Sequence, residues 1–186
     1  MKKIETGYQN IHQNIIDKCR IGDQKAQFQL YKLYYKSMYN TSFRIVNETM
    51  EAEDIIQESF LSAFDKISSY SGEVSFGAWL KKIVINNSLD IVKKKKINFN
   101  SIDDNIYEIK EEEEDQDFEK IKIEIEDIKE VINILPDGYR IVLSLYLIEG
   151  YDHEEIGKIL GISSSTSRSQ YTRAKQKLIE KIRKRL

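Results

Sequence analysis

The stretch DHEEIGKILGISSSTSRSQY, residues 152–171, decides the fold of the C-terminal part of the chain. Asp152 followed by Glu155 is typical of a capping box, in which both side chains accept hydrogen bonds from the backbone of the first helical turn. Gly161 predicts the end of this short helix, because glycine readily adopts a left-handed conformation. Ser163 is a favoured N-cap and predicts a long final helix. A short helix, a glycine turn and a second helix predict a helix-turn-helix.

The second helix of this motif has one side suited to packing and one suited to DNA. The predicted packing stripe consists of Ser167, Tyr171, Ala174 and Leu178. The predicted reading surface consists of Ser165, Thr166, Arg168, Ser169, Thr172, Arg173 and Lys175. Short hydroxyl side chains allow close approach to a major groove, guanidinium groups bind guanine bidentately, and lysines bind phosphates. Residues 163–186 carry a net charge of +7, which favours DNA binding over a purely structural helix-turn-helix with a solvated charged face.

The rest of the chain also predicts helices. It has 186 residues, of which 40% are hydrophobic, with one proline and eight glycines, a composition that argues against a turn-rich β fold. Predicted helices run from about Ile11 to Ile21, from Asp23 to Val46, from Thr49 onward and from Phe76 towards Lys96. The expected inward rows are Ala26, Leu30, Leu33, Ser37, Thr41 and Ile45, then Ile56, Phe60, Ala63 and Ile67, and later Val142, Leu145 and Tyr146. We therefore expect an all-α protein.

Charge divides the chain into two small helical domains joined by an acidic linker. Residues 81–96 have a net charge of +5, whereas residues 101–130 have a net charge of −10. The predicted domains are residues 8–96 and residues 118–186, and the predicted linker is residues 97–117. Like charges repel and extend such a segment, although a merely solubilising spacer has the same composition. Helical spacing resumes at Phe118, and Pro136 predicts the first turn of the helix that follows.

Enzyme chemistry has little support in the sequence. His153 and Glu154 begin like a zinc-protease H-E-x-x-H motif, but Gly157 occupies the position of the second histidine. Apart from His153, the soft metal ligands are His12 and Cys19, so we expect no metal site, no cofactor and no catalytic residue. The lone cysteine is expected to be a small buried hydrophobe. No run approaches the roughly 20 apolar residues of a membrane span and the start lacks an apolar segment, so we expect a cytoplasmic protein without direct membrane insertion.

Motifs in both halves carry a family resemblance. The C-terminal motifs are LPDGYR (135–140), EGY (149–151), EEI (154–156), LGIS (160–163) and SRSQYTRA (167–174). The N-terminal motifs are AEDIIQESF (52–60) and FGAWLKKI (76–83), followed by Asn86 and a lysine run. The C-terminal set resembles region 4, and the N-terminal set resembles regions 2.2 and 2.4, of RNA polymerase sigma factors. The acidic segment between them is too short for the helical domain of the larger housekeeping members, so the chain is similar to the extracytoplasmic-function type.

The resemblance implies three surfaces. Asp54, Gln57 and Glu58, which share a polar helix face, would dock on the β′ clamp helices of core RNA polymerase. The −10 strand would be captured by Tyr70, Lys82, Asn86, Asp90 and Lys93. The loop 68–75 lies where the family holds an unstacked base, so Tyr70 is a candidate stacking or pocket residue. The predicted reading surface of the helix-turn-helix would lie in the −35 major groove. Further implied partners are the β flap of the polymerase, promoter DNA and an anti-sigma factor.

Two alternatives and two departures accompany this resemblance. A stand-alone helix-turn-helix regulator of duplex DNA and a sequestering interaction protein would share many of these features. Gly157 replaces the alanine that is usual in the family, which is expected to lower helix stability by up to about 1 kcal/mol. Ser167 replaces a branched apolar residue in the helix packing. Trp79 is expected to belong to the core, because buried aromatic side chains dominate packing.

Overall fold

The computed structural model describes residues 11–95 and 125–185, which form α-helices, one 3₁₀ helix and no strand. The helices are α1 (Gln13–Arg20), α2 (Gln24–Val46), α3 (Thr49–Asp65), the 3₁₀ helix (Ile67–Ser69), α4 (Phe76–Lys94), α5 (Ile125–Asn133), α6 (Asp137–Leu147), α7 (His153–Leu160) and α8 (Ser164–Arg185). The predicted all-α class is confirmed. The predicted linker and the predicted start of its following helix at Phe118 lie outside the described residues.

The chain divides into two compact units between Lys95 and Lys96. In the first unit, α2 packs against α1, α3 and α4. The core of this unit includes Ile16, Leu30, Met38, Ile56, Phe60, Phe76, Leu80 and Val84, each at most 2% exposed. Burial of such a side chain contributes about 1.5–3 kcal/mol, so this core accounts for much of the stability of the unit.

Helix α2 begins where the sequence predicts. The Asp23 carboxylate accepts hydrogen bonds from the backbone N–H groups of Lys25 and Ala26, at 2.8 and 3.1 Å. The predicted inward row of α2 is partly wrong, because Leu33 is 49% exposed and Ser37 is also exposed. Met38 is buried instead, since it lies next to Ser37 around the helix and removes more apolar surface from water.

Small polar side chains hold α4 against its neighbours. The Ser88 hydroxyl contacts the Ser42 hydroxyl of α2 at 3.0 Å and donates to the carbonyl oxygen of Val84 at 2.8 Å. The Asn87 amide donates to the Ser59 hydroxyl of α3 at 2.9 Å. The three serines are fully buried and Asn87 is half-buried, and each of these groups takes part in a hydrogen bond, as buried polar groups generally do. They therefore fix the orientation of α4, whose other side is exposed.

In the second unit, α5, α6 and α7 each pack against α8. The buried residues include Val131, Ile132, Leu135, Ile141, Val142, Leu143, Leu145, Ile156, Leu160 and Ala174. Pro136 is the N-cap of α6 and thus stands one position before its predicted place. The prediction for Tyr146 is wrong, because this ring is 36% exposed and contacts other aromatic rings at the surface.

Arg140 is a charged residue inside this core, with only 1% of its surface exposed. Its guanidinium lies 2.6 Å from the Asp137 carboxylate and donates to the carbonyl oxygen of Leu135 at 3.3 Å. A buried charge requires such partners, because an unpaired one destabilises a core strongly. Arg140 therefore ties the start of α6 to the end of the preceding turn.

Candidate nucleic-acid interface

The helix-turn-helix is closed by the predicted capping interactions. The Asp152 carboxylate accepts from the N–H groups of Glu154 and Glu155 at 2.8 Å, and the Glu155 carboxylate accepts from the N–H of Asp152 at 2.9 Å. Gly161 ends α7 with a φ of 70°, in the left-handed region. The Ser163 hydroxyl then accepts from the N–H of Thr166 at 3.0 Å and caps α8. The predicted capping box, glycine turn and N-cap are therefore confirmed.

Gly157 lies under the turn of this motif. The residue is buried, and its carbonyl oxygen accepts a hydrogen bond from the N–H of Ile162 at 3.0 Å. The turn backbone therefore rests directly on α7 at this position. The glycine, which departs from the alanine usual in the family that the chain resembles, therefore lies in direct contact with the turn.

A histidine and two tyrosines support the start of α7. The His153 ring stacks on the Tyr146 ring, with centroids 4.5 Å apart and planes inclined by 13°. The Tyr171 ring of α8 meets the His153 ring at 5.7 Å in an edge-on geometry. His153 Nδ1 lies 2.9 Å from the hydroxyl oxygen of the fully buried Ser167. A small polar residue at position 167 is thereby explained, since a branched apolar side chain would leave this imidazole nitrogen without its partner.

The surroundings of His153 disfavour its charged form. Burial lowers the pKa of His153, the positive charge of Arg168 lowers it further, and the negative charge of Asp152 opposes the change. An imidazole in such surroundings releases its proton more readily than one in water. The neutral ring is therefore the form that fits this cluster.

The side of α8 opposite the packing stripe is available to a ligand. Ser165, Arg168, Ser169, Thr172 and Lys175 are exposed, and Thr166 and Arg173 are half-buried. The Thr172 hydroxyl donates to the carbonyl oxygen of Arg168 at 3.1 Å. Five of the seven predicted residues are therefore exposed and two are half-buried, while Ser167 and Ala174 are buried in the core.

A second exposed polar column lies on α4 in the first unit. Lys82, Asn86 and Asp90 follow one another at intervals of four residues and are exposed, as is Lys93. Lys95 belongs to the same lysine run, but its ammonium group lies 2.6 Å from the carboxylate of Glu51 on α3. Lys95 therefore forms a surface ion pair with α3, whereas Lys93 extends the exposed column.

Tyr70 does not lie where the resemblance implies. The ring is 3% exposed and packs against Phe76 and Trp79, at centroid distances of 5.6 and 5.3 Å. Its hydroxyl donates to the carbonyl oxygen of Val74 at 2.5 Å. A base has no access to this ring, because the ring is more stable buried among apolar neighbours than in water. The expected stacking role of Tyr70 is therefore corrected to a structural one. Trp79 is half-buried against the same core.

The polar face of α3 adjoins an apolar groove that sequence reasoning missed. Asp54, Gln57 and Glu58 are exposed on one side of α3. Gln57 also lines an open groove of about 390 Å³ between α2 and α3, together with Phe28 and Leu61, which are 61% and 67% exposed. The signal was present in the sequence, because Leu61 follows Gln57 by one helical turn.

Two features are absent from the described parts of the chain. Within residues 11–95 and 125–185, no group of three or more histidine, cysteine or acidic side chains is arranged to hold a metal ion. Over the same residues, the search for helices long and apolar enough to cross a membrane finds none.

Two protein-family models match parts of this chain. The model for sigma-70 region 2 matches residues 30–97, and the model for sigma-70 region 4 matches residues 125–178. The ECF RNA polymerase sigma factor SigW of Bacillus subtilis is 29% identical over 178 residues, which cover 90% of this chain and 95% of SigW. SigM of the same organism is 28% identical over 150 residues, which cover 81% of this chain and 91% of SigM.

A solved structure shares the fold. The sigma factor RpoE of Bartonella quintana, crystallised with the anti-sigma factor NepR, superposes with a TM-score of 0.54. The match covers 83% of this chain and 95% of RpoE, at 20% identity. This likeness supports the fold of the chain.

Proposed function

The chain belongs to the sigma-70 family of RNA polymerase sigma factors, in its extracytoplasmic-function class, and we propose that it gives core RNA polymerase its specificity for a set of promoters. As a transcription initiation factor it is not an enzyme. The observation that carries the proposal is the presence, in one chain, of an exposed helix-turn-helix surface on α8 and an exposed Lys82–Asn86–Asp90 column on α4. A regulator that reads only duplex DNA needs the first surface and not the second.

The α8 surface is proposed to read the −35 element as a duplex. An α-helix fits the major groove, where Arg168 and Arg173 are suited to bidentate hydrogen bonds with guanine. Ser165, Thr166, Ser169, Thr172 and Lys175 surround them on the same exposed side. Short hydroxyl side chains allow the helix backbone to approach the bases, and the lysine supplies phosphate contact. This unit, predicted as residues 118–186, would thus position the protein on the promoter.

The α4 column is proposed to bind the non-template strand of the −10 element. Asn86 offers a donor and an acceptor to a base edge, and Lys82 and Lys93 lie on either side of it along the helix. Opening of the duplex is driven in this proposal by binding of unstacked bases, with no nucleotide hydrolysis. The unit predicted as residues 8–96 would therefore select and open the −10 region.

Protein partners follow from the remaining surfaces and the family. We propose that Asp54, Gln57 and Glu58 dock on the β′ clamp helices of core polymerase and that the second unit contacts the β flap. An anti-sigma factor is a further proposed partner, supported by the complex in which the RpoE structure was solved. We propose that the protein acts in the cytoplasm, where core RNA polymerase and chromosomal DNA are found.

A transcription assay with a random promoter library tests this function. Purified protein is mixed with core RNA polymerase, and core polymerase alone is the control. The expected result is a set of start sites that share paired −35 and −10 sequences. Core binding without initiation would favour a sequestering role instead, and DNA binding without core binding would favour a stand-alone regulator.

A further inference from the structure

The loop that precedes α4 is closed by a hydrogen bond across its ends. The loop consists of residues 71–74, and the Tyr70 hydroxyl closes it by donating to the carbonyl oxygen of Val74. Gly72 supplies the reversal with a φ of +80°, a conformation that other residues rarely adopt. Ser75 then caps α4 by accepting from the N–H of Ala78 at 3.1 Å. The loop therefore leads directly from a buried aromatic ring into the helix that carries the exposed column.

A side chain from α1 reaches across to the base of this loop. Arg20 Nη2 donates to the carbonyl oxygen of Tyr70 at 2.8 Å, and Arg20 Nη1 lies 3.0 Å from a carboxylate oxygen of Asp17. Arg20 and Tyr70 are 50 positions apart in the chain. A hydrogen bond from a guanidinium is stronger than a neutral one, and Asp17 fixes its direction. Arg20 thus binds the one backbone carbonyl from which the loop starts.

Helix α1 is itself firmly anchored. Ile16 and Cys19 are 0% and 2% exposed, so the helix that carries Arg20 is packed into the core of the first unit. Arg20 lies outside residues 30–97, the part matched by the region 2 model. Its contact with the loop is therefore a feature that this match does not describe.

We propose that Arg20 is a positioning residue for −10 recognition, which holds residues 71–74 in the shape that receives an unstacked base of the non-template strand. This inference rests on the proposed strand capture by the first unit. A loop that is already ordered loses less conformational entropy when a base binds, and so binds it more tightly and more selectively. Arg20 acts through the Tyr70 carbonyl and contacts no DNA itself.

The test compares holoenzymes that contain the wild-type protein, Arg20→Ala, Arg20→Lys and the control Lys18→Ala. Lys18 is an exposed cation on the same helix, two residues away, so its removal matches the loss of charge without touching the loop. Promoter opening is followed by the permanganate reactivity of −10 thymines, and base preference is measured with a −10 library. Core affinity, −35 preference and thermal unfolding are measured in parallel.

Arg20→Ala is expected to slow promoter opening about tenfold, as for loss of a charged hydrogen bond, and to relax the base preference at one −10 position. The core affinity and the −35 preference of Arg20→Ala are expected to match those of the wild type. The control Lys18→Ala is expected to match the wild type in every measurement. Arg20→Lys, which keeps the charge but not the forked geometry, should recover part of the preference. Tyr70→Phe removes only the loop-closing hydroxyl and should relax the same position, which gives a second variant with an intact ring.

Three results would overturn the inference, and they differ from one another. If Arg20→Ala opens promoters at the wild-type rate and with the wild-type base preference, the hydrogen bond from Arg20 to the Tyr70 carbonyl has no role in recognition. A loss of opening with an equal loss of core affinity would assign Arg20 to folding alone. Failure of the wild-type holoenzyme to open any promoter would overturn the proposed function as a whole.

Discussion

The carbonyl oxygen of Ile162 lies 2.8 Å from the place that a Cβ atom would occupy on Gly157. The backbone has little freedom to adjust here, because the N–H of Ile162 donates a hydrogen bond to the carbonyl oxygen of Gly157. A methyl group at this position would push the turn away from α7. The fit between turn and helix in this chain therefore requires glycine.

Gly157→Ala is expected to destabilise the second unit. Overpacking typically lowers the free energy of unfolding by about 1–3 kcal/mol, whereas alanine gains at most about 1 kcal/mol of helix propensity. The loss should exceed the gain and appear as faster amide hydrogen exchange in α7, with exchange in α2 unchanged. Lys158→Ala, at an exposed position of the same helix, is the control and should change stability by less than about 0.5 kcal/mol. Slower exchange in Gly157→Ala would show that the turn relaxes at little cost.

The second unit is expected to lose stability on acidification. Burial and the charge of Arg168 lower the pKa of His153, so the unfolded chain takes up a proton at a higher pH than the folded chain. The stabilisation is complete above the ordinary histidine pKa of about 6.5 and is lost as the pH falls through the lower pKa of the folded state. Thermal unfolding at pH 7.5 and pH 5.5 measures this difference.

His153→Gln should reduce that pH dependence, since glutamine keeps a polar atom near Ser167 but does not titrate. Glu154→Gln changes an exposed neighbour and should keep the wild-type pH dependence. A His153→Gln variant whose melting temperature still falls by the wild-type amount would assign the pH dependence to another group.

Arg173→Ala is expected to weaken use of the −35 element. If Arg173 binds guanine bidentately, its removal lowers specific binding by about 1–3 kcal/mol and relaxes the base preference at one position. Gln176→Ala, at an exposed position of α8 outside the predicted reading surface, is the control. Selection of −35 duplexes with each holoenzyme measures the preference. An unchanged preference in Arg173→Ala would remove this residue from the reading surface.

Asp54→Lys is expected to weaken binding to core polymerase. The substitution reverses the charge on the exposed face that Asp54 shares with Gln57 and Glu58. Lys36→Glu, a charge change of equal size at an exposed position of α2, should leave core affinity unchanged. Titration of each labelled variant with core polymerase compares the affinities. Wild-type affinity in Asp54→Lys would show that this face is only solvated.

Local chemistry made the helix boundaries predictable from the sequence. Asp23, Asp152 and Ser163 act through backbone N–H groups two or three residues away, so their role is visible in the sequence itself. The helix-turn-helix surface was predictable for the same reason, because the spacing of residues along one helix determines which of them share a side. The exposed column on α4 followed from that periodicity as well.

Contacts between residues far apart in the sequence, and the burial that depends on them, were not predictable in this way. Whether Met38 or Ser37 faces the core depends on neighbours from other helices, and Tyr146 lies at the surface because it stacks on His153. The exposure of Tyr70 was predicted wrongly, because the sequence of a serine-rich loop does not show whether an aromatic ring in it is buried or exposed. The contact between Arg20 and the Tyr70 carbonyl joins positions 50 residues apart, so no local pattern announces it.

The hydrogen bond between Tyr70 and Val74 separates the buried framework of the first unit from the loop that it closes. Tyr70 contributes a buried ring of the core, and Val74 contributes only its backbone carbonyl. Ser71 and Glu73 are exposed, and Gly72 between them has a φ of +80°. Ser71 and Glu73 are therefore the loop positions that can be exchanged, whereas Gly72 is constrained by its positive φ. If the first unit captures the −10 strand as we propose, exchange of these two residues is expected to alter which promoters are chosen while leaving the helical framework as it is.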